Sequence, residues 1–310
     1  MESLTRAAWP LQNQDDVSRV RAAVRQLATQ AGLELSEVNR ADRLVAAIGS
    51  RWVDPLAGRS ILVGPPLQGP ALDLWAVAPT SGLEGLPAID DLGQLFDSTS
   101  LLGDGSCLYC RFGVDAPASD LDVGGLTVAL SGETECGDAW DWAREGQLVS
   151  ILLADGLGHG PAAALASKAA VVEFRKGPFR SPVRAIGSMH EALRRTQGAV
   201  IGLVLLDLSG GELTYAGVGN ICARVIGPQS SRSILSTPGV VGFRLPKIRQ
   251  DNLEWGADSA FILYTDGLRS SLSWDGLQGR SSALVAGALY GRFNRGTDDC
   301  GVVVVQGRPA

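Results

Sequence analysis

A short apolar run ends at an aspartate in the stretch LVSILLADGLGHG, residues 148–160. A second apolar run, residues 261–265, leads in the same way into Asp266-Gly267. Short apolar runs bounded by glycine are typical of buried β-strands, so each aspartate is expected at the end of one. A buried carboxylate is poorly solvated, and several that converge would repel one another. Because Mg²⁺ and Mn²⁺ prefer carboxylate, carbonyl and water oxygens, the sequence predicts a carboxylate-built metal site.

Two further aspartate motifs lie in the same half of the chain, Cys136-Gly137-Asp138 and Thr297-Asp298-Asp299. A single Asp-Gly pair usually forms only a turn, since both residues tolerate the backbone angles that turns require. The four motifs in this order, with Gly217-Val218-Gly219-Asn220 between the second and third, resemble the PPM superfamily of metal-dependent protein phosphatases. Within it they are most similar to the SpoIIE/RsbX-type branch. The resemblance covers about residues 120–307.

This resemblance implies a role for each motif. The implied catalytic and metal-binding residues are the four aspartates Asp138, Asp155, Asp266 and Asp298. Asp155 would bridge two divalent ions, Mn²⁺ or Mg²⁺, and the Gly156 carbonyl would complete the coordination of one. Asp299 is the alternative to Asp298 for the last position. A metal-bound water would be acidified to hydroxide and would attack a phosphoserine or phosphothreonine.

The residues after 120 predict strands and a few helices, which favours an α+β fold. The expected strands are residues 126–130, 148–154, 199–208, 212–218, 221–226, 259–265 and 301–305. The expected helices are residues 161–175, 182–196 and about 281–290. The PPM resemblance implies that residues 120–310 form one four-layer α-β-β-α sandwich with the metals at one edge.

Residues 1–115 predict a smaller α/β sandwich domain of a different kind. Helices are expected from Asp15 to Ala31, with Asp15 or Asp16 as N-cap, and from about Ser36 to beyond Ile48. Strands at 60–63, 72–77 and 106–114 follow, with a loop-rich stretch over 79–105 and a linker over 115–120.

The layout of this first half resembles the RsbT-like serine kinases of the GHKL ATPase family. The places of that family's catalytic glutamate and metal-binding asparagine fall near Ala47 and Arg51, and its adenine-binding Asp-x-Gly falls on residues 78–82, without the aspartate. The resemblance therefore implies a degenerate, non-catalytic docking or regulatory domain. An unrelated small α/β domain is the alternative.

Composition excludes several classes of function. The net charge is −6, and no basic cluster along the sequence offsets it, which argues against nucleic-acid binding. No stretch is long enough to span a bilayer and no signal-peptide core is present, so a cytoplasmic protein without membrane contact is expected. Five cysteines, an odd and scattered number, fit a reducing compartment. Cys107 and Cys110 are expected to pack in the core, since no second pair or histidine completes a zinc site.

Only two histidines are present, and neither belongs to a hydrolase motif. His159 is expected to make a turn or helix-start contact in preference to acting as a general acid, and His190 to pack or face solvent. No motif places a phosphate-contacting arginine. The resemblance implies a phosphorylated STAS-domain protein of a bacterial partner-switching pathway as substrate.

Two other functions are alternatives to the phosphatase hypothesis. A pseudophosphatase that sequesters its partner is disfavoured, because metal ligands at all four places would have little other purpose. A nucleotide-binding enzyme that uses residues 156–160 as a phosphate cradle is disfavoured, because their spacing is not Gly-x-Gly-x-x-Gly.

Overall fold

The computed structural model describes residues 7–64, 70–79, 95–102, 106–113, 120–227 and 231–307. The chain divides into two compact units. Unit 1 comprises Met1–Thr5, Ser119–Ser270 and Asn294–Ala310, and unit 2 comprises Arg6–Ala118 and Ser271–Phe293. Residues 271–293 thus join the unit built from the first half of the chain, although the sequence placed them in the C-terminal domain.

Unit 2 is built on one antiparallel sheet with the strand order β1-β2-β3-β5-β4. Its strands are β1 (Ala7–Pro10), β2 (Ser60–Gly64), β3 (Ala71–Val77), β4 (Ser98–Leu101) and β5 (Cys107–Gly113). Its helices are α1 (Gln14–Gln30), α2 (Leu35–Trp52) and, from the far end of the chain, the helix Ser282–Phe293. The N-cap of α1 is Asn13, whose side chain accepts a hydrogen bond from the Asp16 amide, so the prediction of Asp15 or Asp16 as cap is corrected.

Helices cover both faces of this sheet. Leu72, Leu74 and Ala76 of β3 belong to the core formed with α1 and α2. On the opposite face, Trp75 donates a hydrogen bond from Nε1 to the Ala283 carbonyl at 2.8 Å. Gly287 lets the helix Ser282–Phe293 approach, because a Cβ there would lie 2.4 Å from the Trp75 ring. Every residue of β3 is consequently buried.

The structure describes some of the positions that correspond to catalytic or nucleotide-binding residues of GHKL kinases. Ala47 is half-buried and packs against the unit 2 core, and Arg51 is exposed on the last turn of α2. Of the stretch 78–82, residues 80–82 lie outside the described residues, as do most of the loop predicted over 79–105 and the linker over 115–120.

Unit 1 contains two antiparallel sheets. The first has the order β13-β10-β9-β8-β7 and the second the order β12-β11-β14-β15-β6. The strands are β6 (Leu121–Val128), β7 (Asp138–Glu145), β8 (Leu148–Gly156), β9 (Ala199–Asp207), β10 (Glu212–Val218), β11 (Cys222–Ile226), β12 (Ser231–Ile234), β13 (Gln250–Glu254), β14 (Ala260–Tyr264) and β15 (Cys300–Gly307). The helices are α3 (Pro161–Arg175) and α4 (Pro182–Leu193), and the helix of unit 2 that follows them is α5.

The two sheets of unit 1 pack face to face. Tyr215 of β10 lies against Phe261 of β14 with ring centroids 6.1 Å apart. Helices α3 and α4 cover the outer face of the first sheet, where Ala170, Phe174 and Ile186 join its core. The mixed α+β class is confirmed. Within the described ranges both helices of unit 1 lie on the first sheet, which gives three of the four expected layers. No helix in the described ranges is long and apolar enough to cross a membrane.

Candidate active site

Two of the predicted aspartates face each other across neighbouring strands. Asp138 begins β7 and Asp155 lies near the end of β8, and the antiparallel register pairs them directly. Asp138 is 1% exposed, and Asp155 is half-buried. Directly paired residues have Cβ atoms about 5 Å apart, so the two carboxylates share one small region at this sheet edge.

A threonine that the sequence analysis did not select holds Asp138 in place. Thr265, buried at the end of β14, donates from Oγ1 to Asp138 Oδ2 at 2.8 Å. Thr265 Oγ1 in turn accepts a hydrogen bond from the Gly301 amide at 2.8 Å. Thr265 therefore connects the second sheet to the aspartate of the first. Its position directly before Asp266 was the only signal in the sequence.

Asp266 follows Thr265 and is held by residues of two other segments. Asn220, in the turn between β10 and β11, donates from Nδ2 to Asp266 Oδ2 at 2.8 Å. Arg295 donates from Nη1 to the Asp266 backbone carbonyl at 3.0 Å. The sequence analysis quoted Asn220 within a family motif without giving it a role, and it could not select Arg295, which no motif marks.

The structure separates the adjacent Asp298 and Asp299. Asp299 is buried, and its two carboxylate oxygens accept hydrogen bonds from the amides of Leu130, at 2.7 Å, and Gly137, at 2.8 Å. Asp298 is half-buried, and its Oδ1 accepts a hydrogen bond from the Asp299 amide at 2.8 Å. Asp299 thus holds the segment before β7 in place through both of its carboxylate oxygens. Asp298 uses only Oδ1 in these hydrogen bonds to backbone amides.

The carboxylates disfavour one another's charge. Burial raises the pKa of Asp155 to about 8, and repulsion from Asp266, Asp298 and Asp299 adds to the shift. Burial, followed by repulsion from Asp155, raises the pKa of Asp138 well above its usual range. A divalent cation would reverse this preference, because it favours the ionised carboxylate. The all-oxygen donor set fits Mg²⁺ or Mn²⁺. Among the described residues, no three acidic, histidine or cysteine side chains already converge closely enough to enclose an ion.

Two glycines in the aspartate motifs allow the backbone to close up around the site. A Cβ on Gly156 would lie 2.0 Å from the Ala163 carbonyl oxygen, in the first turn of α3. A Cβ on Gly267 would lie 2.0 Å from the Asp299 carbonyl oxygen. Neither contact is possible for a larger residue without a backbone shift, so both Asp-Gly pairs have a packing reason beyond turn formation.

Each histidine makes a local hydrogen-bonding contact. His159 is exposed and lies in the turn just before α3, where its Nδ1 is 2.6 Å from Glu133 Oε1. A contact of His159 within this turn was the expectation from the sequence. His190 of α4 accepts a hydrogen bond at Nδ1 from the Gly242 amide at 3.0 Å. Cys107 and Cys110 are buried in unit 2, where Cys107 Sγ donates to the Leu284 carbonyl at 3.7 Å and Cys110 Sγ lies 3.5 Å from Thr99 Oγ1.

Known proteins resemble the part of the chain that carries this site. The family profile of stage II sporulation protein E (SpoIIE) matches residues 145–299. The phosphoserine phosphatase RsbX of Bacillus subtilis (strain 168) is 26% identical over 140 residues, which are 44% of this chain and 69% of RsbX. Among solved structures, one from work on the bacterial stressosome as a modular system is 28% identical with a TM-score of 0.58, over 60% of this chain and 99% of its own.

Two further structures extend the likeness of fold. RsbX in complex with magnesium has a TM-score of 0.55 and 21% identity, over 60% of this chain and 94% of its own. The PP2C phosphatase domain of SpoIIE from Bacillus subtilis, with a fragment of its regulatory domain, has a TM-score of 0.50 and 16% identity, over 94% of this chain and 97% of its own. The profile match spans half of the chain and includes three of the four aspartate motifs. The chain therefore belongs to the SpoIIE family of PPM-type protein phosphatases, as its aspartate motifs predicted.

Proposed function

We propose that this protein hydrolyses phosphoserine or phosphothreonine in a protein substrate with the help of two divalent metal ions, Mn²⁺ or Mg²⁺. The observation that carries the proposal is the pairing of Asp138 with Asp155 at one sheet edge, where Asp266 and Asp298 add their repulsion. Burial and the neighbouring carboxylates disfavour the charges of Asp138 and Asp155, which are therefore costly to keep unless a cation compensates them.

Asp138, Asp155, Asp266 and Asp298, together with the Gly156 carbonyl, would hold the ions. When bound, the ions supply an acidified water and neutralise charge on the phosphoryl oxygens. Asp299 stays the alternative ligand to Asp298, although its two oxygens are already engaged by backbone amides.

Neutral and cationic side chains of unit 1 orient this carboxylate set. The Thr265 hydroxyl fixes Asp138, and the Asn220 amide fixes Asp266. Arg295 uses one guanidinium N–H on the Asp266 carbonyl. The guanidinium group of Arg295 has further N–H donors, and guanidinium groups commonly bind phosphate oxygens. Arg295 is therefore our candidate for holding the substrate phosphoryl group.

The substrate we infer is a phosphorylated STAS-domain protein of a bacterial partner-switching pathway. The resemblance to RsbX and to a structure from stressosome work supports this class. We assign the phosphatase domain to residues 120–310 apart from 271–293. Residues 1–115 would form a docking or regulatory domain, degenerate relative to GHKL kinases, and the cell compartment would be the cytoplasm.

The test is hydrolysis of p-nitrophenyl phosphate and of a phosphoserine STAS protein with Mn²⁺, with Mg²⁺ and with EDTA. Asp155→Asn and Asp266→Asn should abolish metal-dependent turnover of both substrates. Asp258→Asn, at an exposed loop position, is the matched control and should leave turnover unchanged. Folded wild-type protein without turnover in any metal would overturn the proposal and favour a pseudophosphatase that sequesters its partner.

A further inference from the structure

The loop formed by residues 237–249 borders the carboxylate site. Val241 exchanges two backbone hydrogen bonds with Ala199, of 2.9 and 3.0 Å. Ala199 is in turn the register partner of Gly156 at the end of β8. Val241 therefore lies two interstrand spacings, about 10 Å, from Gly156. A protein segment bound with its phosphate at the site would reach this loop within about three extended residues.

The end of α4 lies against this loop and brings positive charge from a second segment. The Gly242 amide donates to His190, and a Cβ on Gly242 would lie 2.8 Å from Leu193 Cβ. The two segments together present exposed cationic residues, namely Arg194, Arg195, Arg244, Lys247 and Arg249. We call these five residues, with Phe243, the basic rim. It stands out on a chain whose net charge is −6.

Among the described residues, acidic side chains lie beside only some of these cations. Arg194 lies 3.3 Å from Glu191 and Arg249 lies 2.6 Å from Asp251, so two of the cations have acidic neighbours. Within the described ranges, no acidic side chain forms a salt bridge with Arg195, Arg244 or Lys247. Three cations therefore remain to attract an acidic partner.

Phe243 gives the basic rim an apolar anchor. Its side chain is 85% exposed, the second highest exposure among the large apolar residues of the described chain. It lies at the tip of a hydrogen-bonded turn, in which the Phe243 amide donates to the Val240 carbonyl at 3.3 Å and the Arg244 amide donates to it at 2.9 Å. Aromatic side chains, phenylalanine included, and arginine side chains are enriched in protein–protein interfaces.

We propose that the basic rim docks an acidic segment of the phosphoprotein substrate, with an apolar side chain of that segment against Phe243. The proposal rests on the function proposed above and specifies the substrate further, as one with acidic residues and an apolar residue about three positions from its phosphoserine. A nucleic-acid partner is less consistent with a chain of pI about 5.1.

Two fluorescent phosphoserine peptides test the proposal. One carries aspartates and a leucine beginning three residues from the phosphoserine on both sides, and the other carries lysines in place of the aspartates. Fluorescence anisotropy in EDTA measures binding without turnover, and hydrolysis with Mn²⁺ is measured separately. The variants are Phe243→Ala and the double reversal Arg244→Glu/Lys247→Glu. The matched control is Arg184→Glu/Arg232→Glu, two exposed positions of unit 1 outside the basic rim.

We expect the wild-type protein to bind the acidic peptide at least about tenfold more tightly than the basic one, with a preference that weakens as salt rises. The double reversal should lose about tenfold in affinity for the acidic peptide, and Phe243→Ala several-fold. The control variant should bind the acidic peptide as tightly as the wild-type protein does. Its turnover of p-nitrophenyl phosphate should also equal that of the wild-type protein. Equal affinity for the two peptides, unaffected variants, or tighter binding of oligo-dT than of the acidic peptide would overturn the proposal. A wild-type protein that does not turn over p-nitrophenyl phosphate would instead count against the phosphatase function. The docking proposal would still be tested, since the binding assay needs no catalysis.

Discussion

The adjacent residues Asp298 and Asp299 should respond in opposite ways to the same substitution. Asp299→Asn replaces one carboxylate oxygen by an NH₂ group, which cannot accept from the Leu130 or Gly137 amide. One charge-assisted hydrogen bond is lost and one backbone donor is left without an acceptor. The combined cost is about 3 kcal/mol of unfolding free energy, which exceeds the roughly 1 kcal/mol gained because residue 299 no longer repels Asp138 and Asp155.

Asp298→Asn keeps the Oδ1 atom that accepts from the Asp299 amide. It removes a negative charge that raises the pKa of both Asp138 and Asp155 by repulsion. In EDTA the unfolding free energy should therefore stay unchanged or rise by up to about 1 kcal/mol. Activation by Mn²⁺ should be lost, because an amide is a poor replacement for an anionic ligand.

Urea unfolding in EDTA, followed by tryptophan fluorescence, measures the two stabilities, and titration of p-nitrophenyl phosphate turnover with Mn²⁺ measures activation. The expected pattern is an unstable Asp299→Asn protein and a stable, inactive Asp298→Asn protein. A stable Asp299→Asn protein without activity, beside an active Asp298→Asn protein, would refute the reasoning and make Asp299 the ligand.

Two further predictions concern one contact in each unit. Thr265→Val should lower the unfolding free energy by about 2 kcal/mol and raise the Mn²⁺ concentration needed for half-maximal turnover, because Asp138 and a buried amide lose their shared hydroxyl. Thr265→Ser keeps the hydroxyl and should resemble wild type, and equal effects of the two substitutions would contradict this role. In unit 2, hydrogen bonds from Arg21 and then Arg25 lower the pKa of Asp42 to about 2, despite opposing burial. Its stabilising effect is therefore present above about pH 4 and is lost as pH falls through about 2. Urea unfolding should show Asp42→Asn less stable than wild type by about 1 kcal/mol at pH 7, since both arginines are partly solvent-screened. An undiminished difference in stability at pH 2 would contradict this.

The strands missed by the sequence analysis share one physical cause. They are β1, β4, β7, β12 and β13, and each lies at the edge of its sheet. An edge strand is held by backbone pairing on one side and buries fewer side chains, so its apolar periodicity is weak. β7 shows the effect, since its sequence DAWDWARE is polar at half of its positions. Central strands such as β8 and β14, which are buried on both faces, were predictable from composition alone.

The sequence by itself determined the family, the α+β class and the aspartates at the ends of buried strands, because these follow from local runs of apolar residues and short fixed motifs. Whether those aspartates bind metal stays a prediction. Only the tertiary structure decided that α5 packs with the first half of the chain, that Thr265 and Asn220 orient the carboxylates, and that Asp298 and Asp299 have different surroundings. It also assembled the basic rim from two segments. Each of these depends on contacts between residues far apart in the chain, which no local pattern records.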